Sequence, residues 1–245
     1  MSGQTGYRRA LLKLSGNAFA APGEKGIDEE HVGYITQEVI EALGVCPQMA
    51  IVVGGGNVMR GSNFCPRGKS RLRADHAGML ATVVNALILL DSLETRGTSA
   101  SVYSGLPVTG AVAGFDADDA REDLKEGRAV ILAGGTGNPL FTTDTAAALR
   151  GIQLDVDVIL KATRVEGVFS SDPEQNDDSE FFEELSCQEI LRRQLGVMDL
   201  CAISLCMEHD LPVRVFNYQH EGNIRRAVAG KSVGTLIGNE NNGHG

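Results

Sequence analysis

The chain has 245 residues, 42% of them hydrophobic, and a formal net charge of -10 at pH 7. That acidic balance excludes sequence-independent nucleic-acid binding and docking to anionic membranes, both of which run on excess Lys and Arg. Five cysteines at 46, 65, 187, 201 and 206 lack Cys-x-x-Cys spacing and His partners, which excludes a zinc site and a disulfide framework and predicts reduced thiols.

Met1 to Arg9 is polar, and no apolar run of about 18 residues is evident, so a cytoplasmic protein without membrane contact is expected. Ala10 to Leu14 reads as a first strand with Lys13 at its end, breaking at Ser15-Gly16 into a small-residue loop from Ala20 to Gly26. Asp28 caps a helix predicted over Glu29 to Leu43, and Met49 to Val53 is a second buried strand that runs into Gly54-Gly55-Gly56-Asn57 and Arg60. An apolar-rich helix is predicted from Asp75 to Arg96, with Met79, Leu80, Val83, Val84, Leu87, Leu90 and Leu93 at helical spacing. That apolar face exceeds what one sheet needs, and predicts either a second partner surface or a fully buried helix.

Val102 and Tyr103 give a short strand, Asp116 or Asp118 caps a helix running to Gly127, and Ala129 to Ala133 is a continuous apolar strand. Gly134 to Asp144 follows it, ending on Thr142, Thr143 and Asp144, which suit a helix N-cap; free N–H groups at such a start favour an anion. A strand from Asp155 to Leu160 leads into Lys161-Ala162-Thr163. Gly167 to Pro173 reads as loop, Glu174 to Glu180 as a solvated acidic tip, and Phe181 to Leu185 as an edge strand. Helices over Cys187 to Leu195, Asp199 to His209 and Asn223 to Ala229, with strands at Val213 to Phe216 and Thr235 to Ile237, complete the alternation. Asn239 to Gly245 reads as a frayed tail. Strands alternating with helices predict an α/β fold with a mostly parallel central sheet.

Several motifs fail on spacing. Gly68-Lys69-Ser70 and Gly230-Lys231-Ser232 lack the Walker glycine, since Asn63 and Arg225 stand in its place. Gly54-x-Gly56 and Gly135-x-Gly137 are followed by Met59 and Leu140 where a dinucleotide fingerprint needs glycine. What remains is a series of strand ends carrying glycines, a cation each at Lys13, Arg60 and Lys161, and the carboxylate of Asp144. Taken singly, each lysine is by default a solvated surface charge and each aspartate a cap. Recurring at the same end of successive strands, they suit phosphoryl transfer, which needs positioning and charge neutralisation rather than covalent help.

Leu12-Lys13-Leu14-Ser15-Gly16, Gly54 to Asn57 with Arg60, Asp75-His76 with Gly78 to Thr82, Gly135 to Asp144, Lys161 to Thr163 with Gly167 to Phe169, Asp172-Pro173, Val197 to Leu200 and Val213 to Asn217 occur in this order. Together they resemble the bacterial-type uridylate kinases of the amino acid kinase superfamily, from about Tyr7 to Ile237. The resemblance implies a three-layer αβα sandwich forming one amino acid kinase-like domain over 1–245. Its acceptor part would lie over about 1–155, its ATP part over about 156–238, and 239–245 would be a disordered tail. It implies MgATP-dependent conversion of UMP to UDP in pyrimidine biosynthesis by a homohexamer, with magnesium held through ATP phosphates and water. By position, Lys13, Leu14, Ser15, Gly16, Gly56, Arg60, Thr163, Phe169 and Asp172 would meet ATP. Gly55, Asp75, Thr136, Gly137, Asn138, Pro139, Leu140, Phe141, Thr142 and Thr143 would hold UMP, Asp75 as acceptor for a ribose hydroxyl. Lys13, Asp144 and Lys161 would be catalytic: two cations and the carboxylate that organises them.

Asn17, Ala77 and Glu166 depart from the usual glutamate, methionine and aspartate. Leu90, Glu94 and Ser101 stand where GTP-activated relatives carry arginine, histidine and arginine, so the resemblance predicts a weakened GTP site. Two other readings compete: an acylphosphate-forming kinase of the acetylglutamate or carbamate type, and a nucleotide-sensing protein without turnover.

Overall fold

The computed structural model describes residues 6–59, 70–171 and 179–239. Arg9–Leu14 (β1) and Gln48–Val53 (β2) are buried along almost their whole length, as apolar runs of parallel strands must be. They pair in parallel, and Val158–Thr163 (β6) flanks β1 on its other side, also parallel. Ala100–Ser104 (β3), Ala113–Gly114 (β4), Ala129–Ala133 (β5), Glu184–Ser186 (β9), Val213–Asn217 (β10) and Thr235–Gly238 (β11) extend the sheet. Among the described residues it has nine strands in the order β4-β3-β5-β2-β1-β6-β10-β11-β9, with β10 and β11 paired antiparallel. Val168–Phe169 (β7) and Phe181–Phe182 (β8) form a separate two-stranded ribbon.

Helices cover both faces, giving three layers. Glu29–Leu43 (α1), Arg71–Thr95 (α2) and Asn223–Val228 (α7) pack on one core. Ala117–Lys125 (α3), Thr143–Leu154 (α4), Cys187–Arg193 (α5) and Leu200–Glu208 (α6) pack on the other. Strand periodicity then decides where the lysines point. Ala10, Leu12 and Leu14 enter the first core and Leu11 the second, so Lys13, in phase with Leu11, faces the α4 layer. Val158, Leu160 and Ala162 against Ile159 place Lys161 on that same face.

Several boundaries differ from the sequence reading. α2 starts at Arg71, one turn before Asp75, so Asp75 lies inside the helix and is not its cap. β6 starts at Val158 because Asp155, at φ 54°, closes α4 in a left-handed conformation and does not open the strand. The edge strand expected from Phe181 to Leu185 divides: Phe181–Phe182 pairs with Val168–Phe169, within the stretch expected to be loop, and Glu184–Ser186 joins β11. A 3-10 turn over Gly16–Phe19, capped by Ser15, and the two-residue β4 had no expectation.

By length and composition α2 is apolar enough to cross a membrane, unlike the expectation from the sequence. Ala86, Leu89 and Leu93 are fully buried in the first core. Leu80 and Val84, one turn apart, remain exposed.

Candidate active site

Because β1, β2, β5 and β6 are parallel, their carboxyl ends share one edge of the sheet, where an open α/β fold binds ligands. The loops after β1 and β2 meet there backbone to backbone. A Cβ on Gly54 would lie 2.7 Å from the Gly16 amide nitrogen, too close for any side chain. After β5, Gly134 turns at φ 69° with Ser104 Oγ 2.3 Å from where its Cβ would be, which returns the chain toward α4.

Lys13 and Lys161 are direct register partners on adjacent strands, about 4.8 Å apart in backbone terms. Two ammonium groups so placed repel, and the start of α4 supplies the answer. Thr142 caps that helix, accepting the amides of Asp144 and Thr145, and so points Asp144 back at the sheet. Lys13 Nζ is 2.9 Å from Asp144 Oδ1 and Lys161 Nζ 2.7 Å from Oδ2. Their side chains are only 11% and 12% exposed, so neither is the solvated surface charge a lone strand-end lysine would be. Burial opposes ionisation of Asp144, but the two ammonium charges outweigh it and hold the carboxyl below its ordinary range. Burial lowers the pKa of Lys161, and Lys13 lowers it further, only partly offset by Asp144.

Two cavities adjoin this trio. One, of about 520 Å³, is lined by Lys13, Ser15, Gly16, Gly54 to Gly56, Asp75, Asn138 and Phe141 to Asp144. The other, of about 590 Å³, is lined by Lys161, Thr163, Gly167 to Ser171, Arg193 to Val197 and Val215. Phe169 stands edge-on to Phe181 with ring centroids 5.2 Å apart, at the wall of the second.

The structure brings most of the expected residues to these cavities, with differences. Ser15, Gly16 and Gly56, assigned to ATP, line the cavity that also holds Gly55 and Asp75. Leu14 is fully buried in the core, leaving only its backbone toward the site. Thr136, Gly137, Pro139 and Leu140 do not line either cavity. Thr136 Oγ1 instead accepts the Asn138 amide at 3.1 Å, and the Leu140 amide donates to Asp75 Oδ2 at 2.9 Å. Arg60 and Asp172 lie outside the described residues.

Other contributors had been given no role at the site by the sequence. Asp199 caps α6 through the Ala202 amide and accepts hydrogen bonds from Thr142 and Thr145, while Val197 O accepts from Lys161. Buried Asn57 and Asn85 hydrogen-bond each other, and Asn85 donates to Gly54 O at 2.7 Å, bracing the glycine loop. The signal for Asp199 was present as an aspartate before an apolar helix; its second task, joining α6 to α4, depends on a contact 54 residues away. Among the described residues there is no cluster of three or more His, Cys, Asp or Glu able to hold a metal by itself. Cys46, Cys187, Cys201 and Cys206 form no disulfide, and burial pushes the Cys206 thiol up to about 12.

The sequence profile described as Amino acid kinase family matches residues 8–217. A uridylate kinase from Aliivibrio fischeri is 46% identical over 233 residues, 95% of this chain and 96% of that protein. The chain belongs to the amino acid kinase family, in its uridylate kinase branch. The crystal structure of UMP kinase from Bacillus anthracis superposes with a TM-score of 0.92 at 33% identity, covering 96% of this chain and 97% of that one. UMP kinase from Ureaplasma parvum gives 0.88 at 29% identity, covering 94% and 98%. The amino acid kinase match contains all three members of the Lys13, Asp144 and Lys161 trio and both walls of the site.

Proposed function

We propose that the protein is an ATP:UMP phosphotransferase, moving the γ-phosphoryl group of ATP to UMP to give UDP and ADP in pyrimidine nucleotide biosynthesis. The observation that carries this reading is the buried Lys13–Asp144–Lys161 trio set between two nucleotide-sized cavities. The acceptor phosphate is already an oxyanion, so its oxygen attacks the γ-phosphorus without a general base as the bond to ADP breaks. Charge spread over the transferring group is met by the two ammonium groups, whose positions Asp144 sets. With one lysine against each of its oxygens, Asp144 serves as an orienting group.

UMP is read into the cavity of Asp75 and the α4 N-terminus, where Thr142 and Thr143 sit. ATP is read into the cavity of Thr163 and Phe169, its phosphates reaching toward Gly16 and Gly56. Magnesium fits this donor set as an ion carried by the ATP phosphates and water, since both oxygens of Asp144 already face ammonium groups. When bound, it would neutralise phosphate charge. The exposed Leu80 and Val84 favour a homo-oligomer, read here as the hexamer, and the acidic chain is read as cytoplasmic, without nucleic-acid or membrane partners.

The test is steady-state ADP formation from MgATP with UMP, CMP, dUMP, acetylglutamate or carbamate as acceptor, for wild type and Lys13→Ala. UMP-selective turnover that falls by about 10²-fold or more in a folded Lys13→Ala is expected. Turnover on acetylglutamate or carbamate would move the protein to acylphosphate chemistry, and nucleotide binding without ADP formation would make it a sensor.

A further inference from the structure

Asp75 faces the acceptor cavity from the second turn of α2, with its side chain 14% exposed. Two separate elements hold its carboxylate. Arg71, one turn earlier on the same helix, donates Nε to Oδ1 at 2.8 Å. The amide of Leu140, in the loop between β5 and α4, donates to Oδ2 at 2.9 Å. Leu140 adopts φ 74°, a conformation non-glycine residues rarely take, while its side chain stays exposed. Side-chain burial therefore does not explain the strained backbone, whereas the aim of its N–H at Asp75 does.

A carboxylate offers about four lone-pair sites, and these two donors use one on each oxygen. The remaining sites are fixed in direction and open to the cavity, in an arrangement suited to two neighbouring hydroxyls. Resting on the UMP reading above, we propose that Arg71 is a positioning residue that makes Asp75 a gauge for the ribose cis-diol. Arg71 and the Leu140 amide lock the carboxylate so that the acceptor's 2′-hydroxyl is required for full binding. Arg71 itself lines the cavity, but its Nε is committed to Asp75, and it acts through that carboxylate and not in the phosphoryl transfer.

The experiment compares kcat and KM for UMP and dUMP at saturating MgATP in wild type, Arg71→Gln, Arg71→Lys, Asp75→Asn and the Arg71→Gln/Asp75→Asn double variant. Wild type is expected to prefer UMP. In Arg71→Gln, kcat/KM for UMP should fall on the order of tenfold, chiefly through KM, while dUMP changes little, so the preference collapses. Arg71→Lys should retain part of it, and in the Asp75→Asn background Arg71→Gln should cause no further loss. An equal fall on both acceptors, or additive losses in the double variant, would overturn the inference. Should Arg71→Gln fail to fold, Arg71→Lys carries the same ratio test. Equal wild-type use of UMP and dUMP would sink the gauge and leave the kinase reading standing, whereas no turnover of either would sink both.

Discussion

Asp144 carries a heavy electrostatic burden, because its carboxylate stands between two lysines that the sheet register forces together. Replacing it by asparagine removes the carboxylate that both buried ammonium groups face, leaving Lys161 only the smaller influence of Asp199. Breaking a buried pair in this way typically costs about 3–5 kcal/mol. Asp144→Asn is therefore expected to lower the urea midpoint markedly and to abolish most turnover. The pH dependence has a definite sign. The folded-state pKa of Asp144 lies below its ordinary 3.8, so its contribution is present above that value and is lost as pH falls toward the folded value. Stability measured against pH should show this acid limb in wild type and a flatter one in Asp144→Asn.

The elements meet through their caps. Thr142 at the start of α4 and Asp199 at the start of α6 are joined directly, with Thr145 donating to Asp199 Oδ1 at 2.8 Å. This contact ties the helix that presents Asp144 to the segment whose Val197 carbonyl receives Lys161. Asp199→Ala removes a cap and strands the buried Thr145 hydroxyl, an expected loss of about 1–3 kcal/mol. Equilibrium denaturation would measure it, and a change within a few tenths would show the two helix starts to be independent. Much at this level was legible in the chain: Asp28 before α1 and Thr142 before α4 stand at the caps their residue types announce. The failures share a cause. The starts of α2 and β6 were misplaced because Asp75 and Asp155 look like caps and openers in sequence, while their partners set other roles. Phe181 to Leu185 was read as one strand because the pairing that divides it comes from β7 and β11, which no local pattern specifies.

The whole molecule leaves part of α2 uncovered. Leu80 and Val84 lie one turn apart and are 45% and 43% exposed, although Val83, Ala86, Leu89 and Leu93 of the same helix are buried in the first core. The expected consequence is assembly through this face, and light scattering coupled to size exclusion would give the mass. Leu80→Glu with Val84→Glu should yield a smaller species with unchanged circular dichroism; a monomeric wild type at micromolar concentration would refute the hexamer.

The amino-acid sequence by itself determined the alternation of strands and helices, the glycine-bearing strand ends and the residue types of the trio, because apolar periodicity and turn chemistry are local. It could not supply the Lys13–Lys161 register, the Leu140 amide's hold on Asp75 or the bridge from Asp199 to α4. Those contacts join residues dozens of positions apart, and only strand order and helix packing bring them within hydrogen-bonding distance.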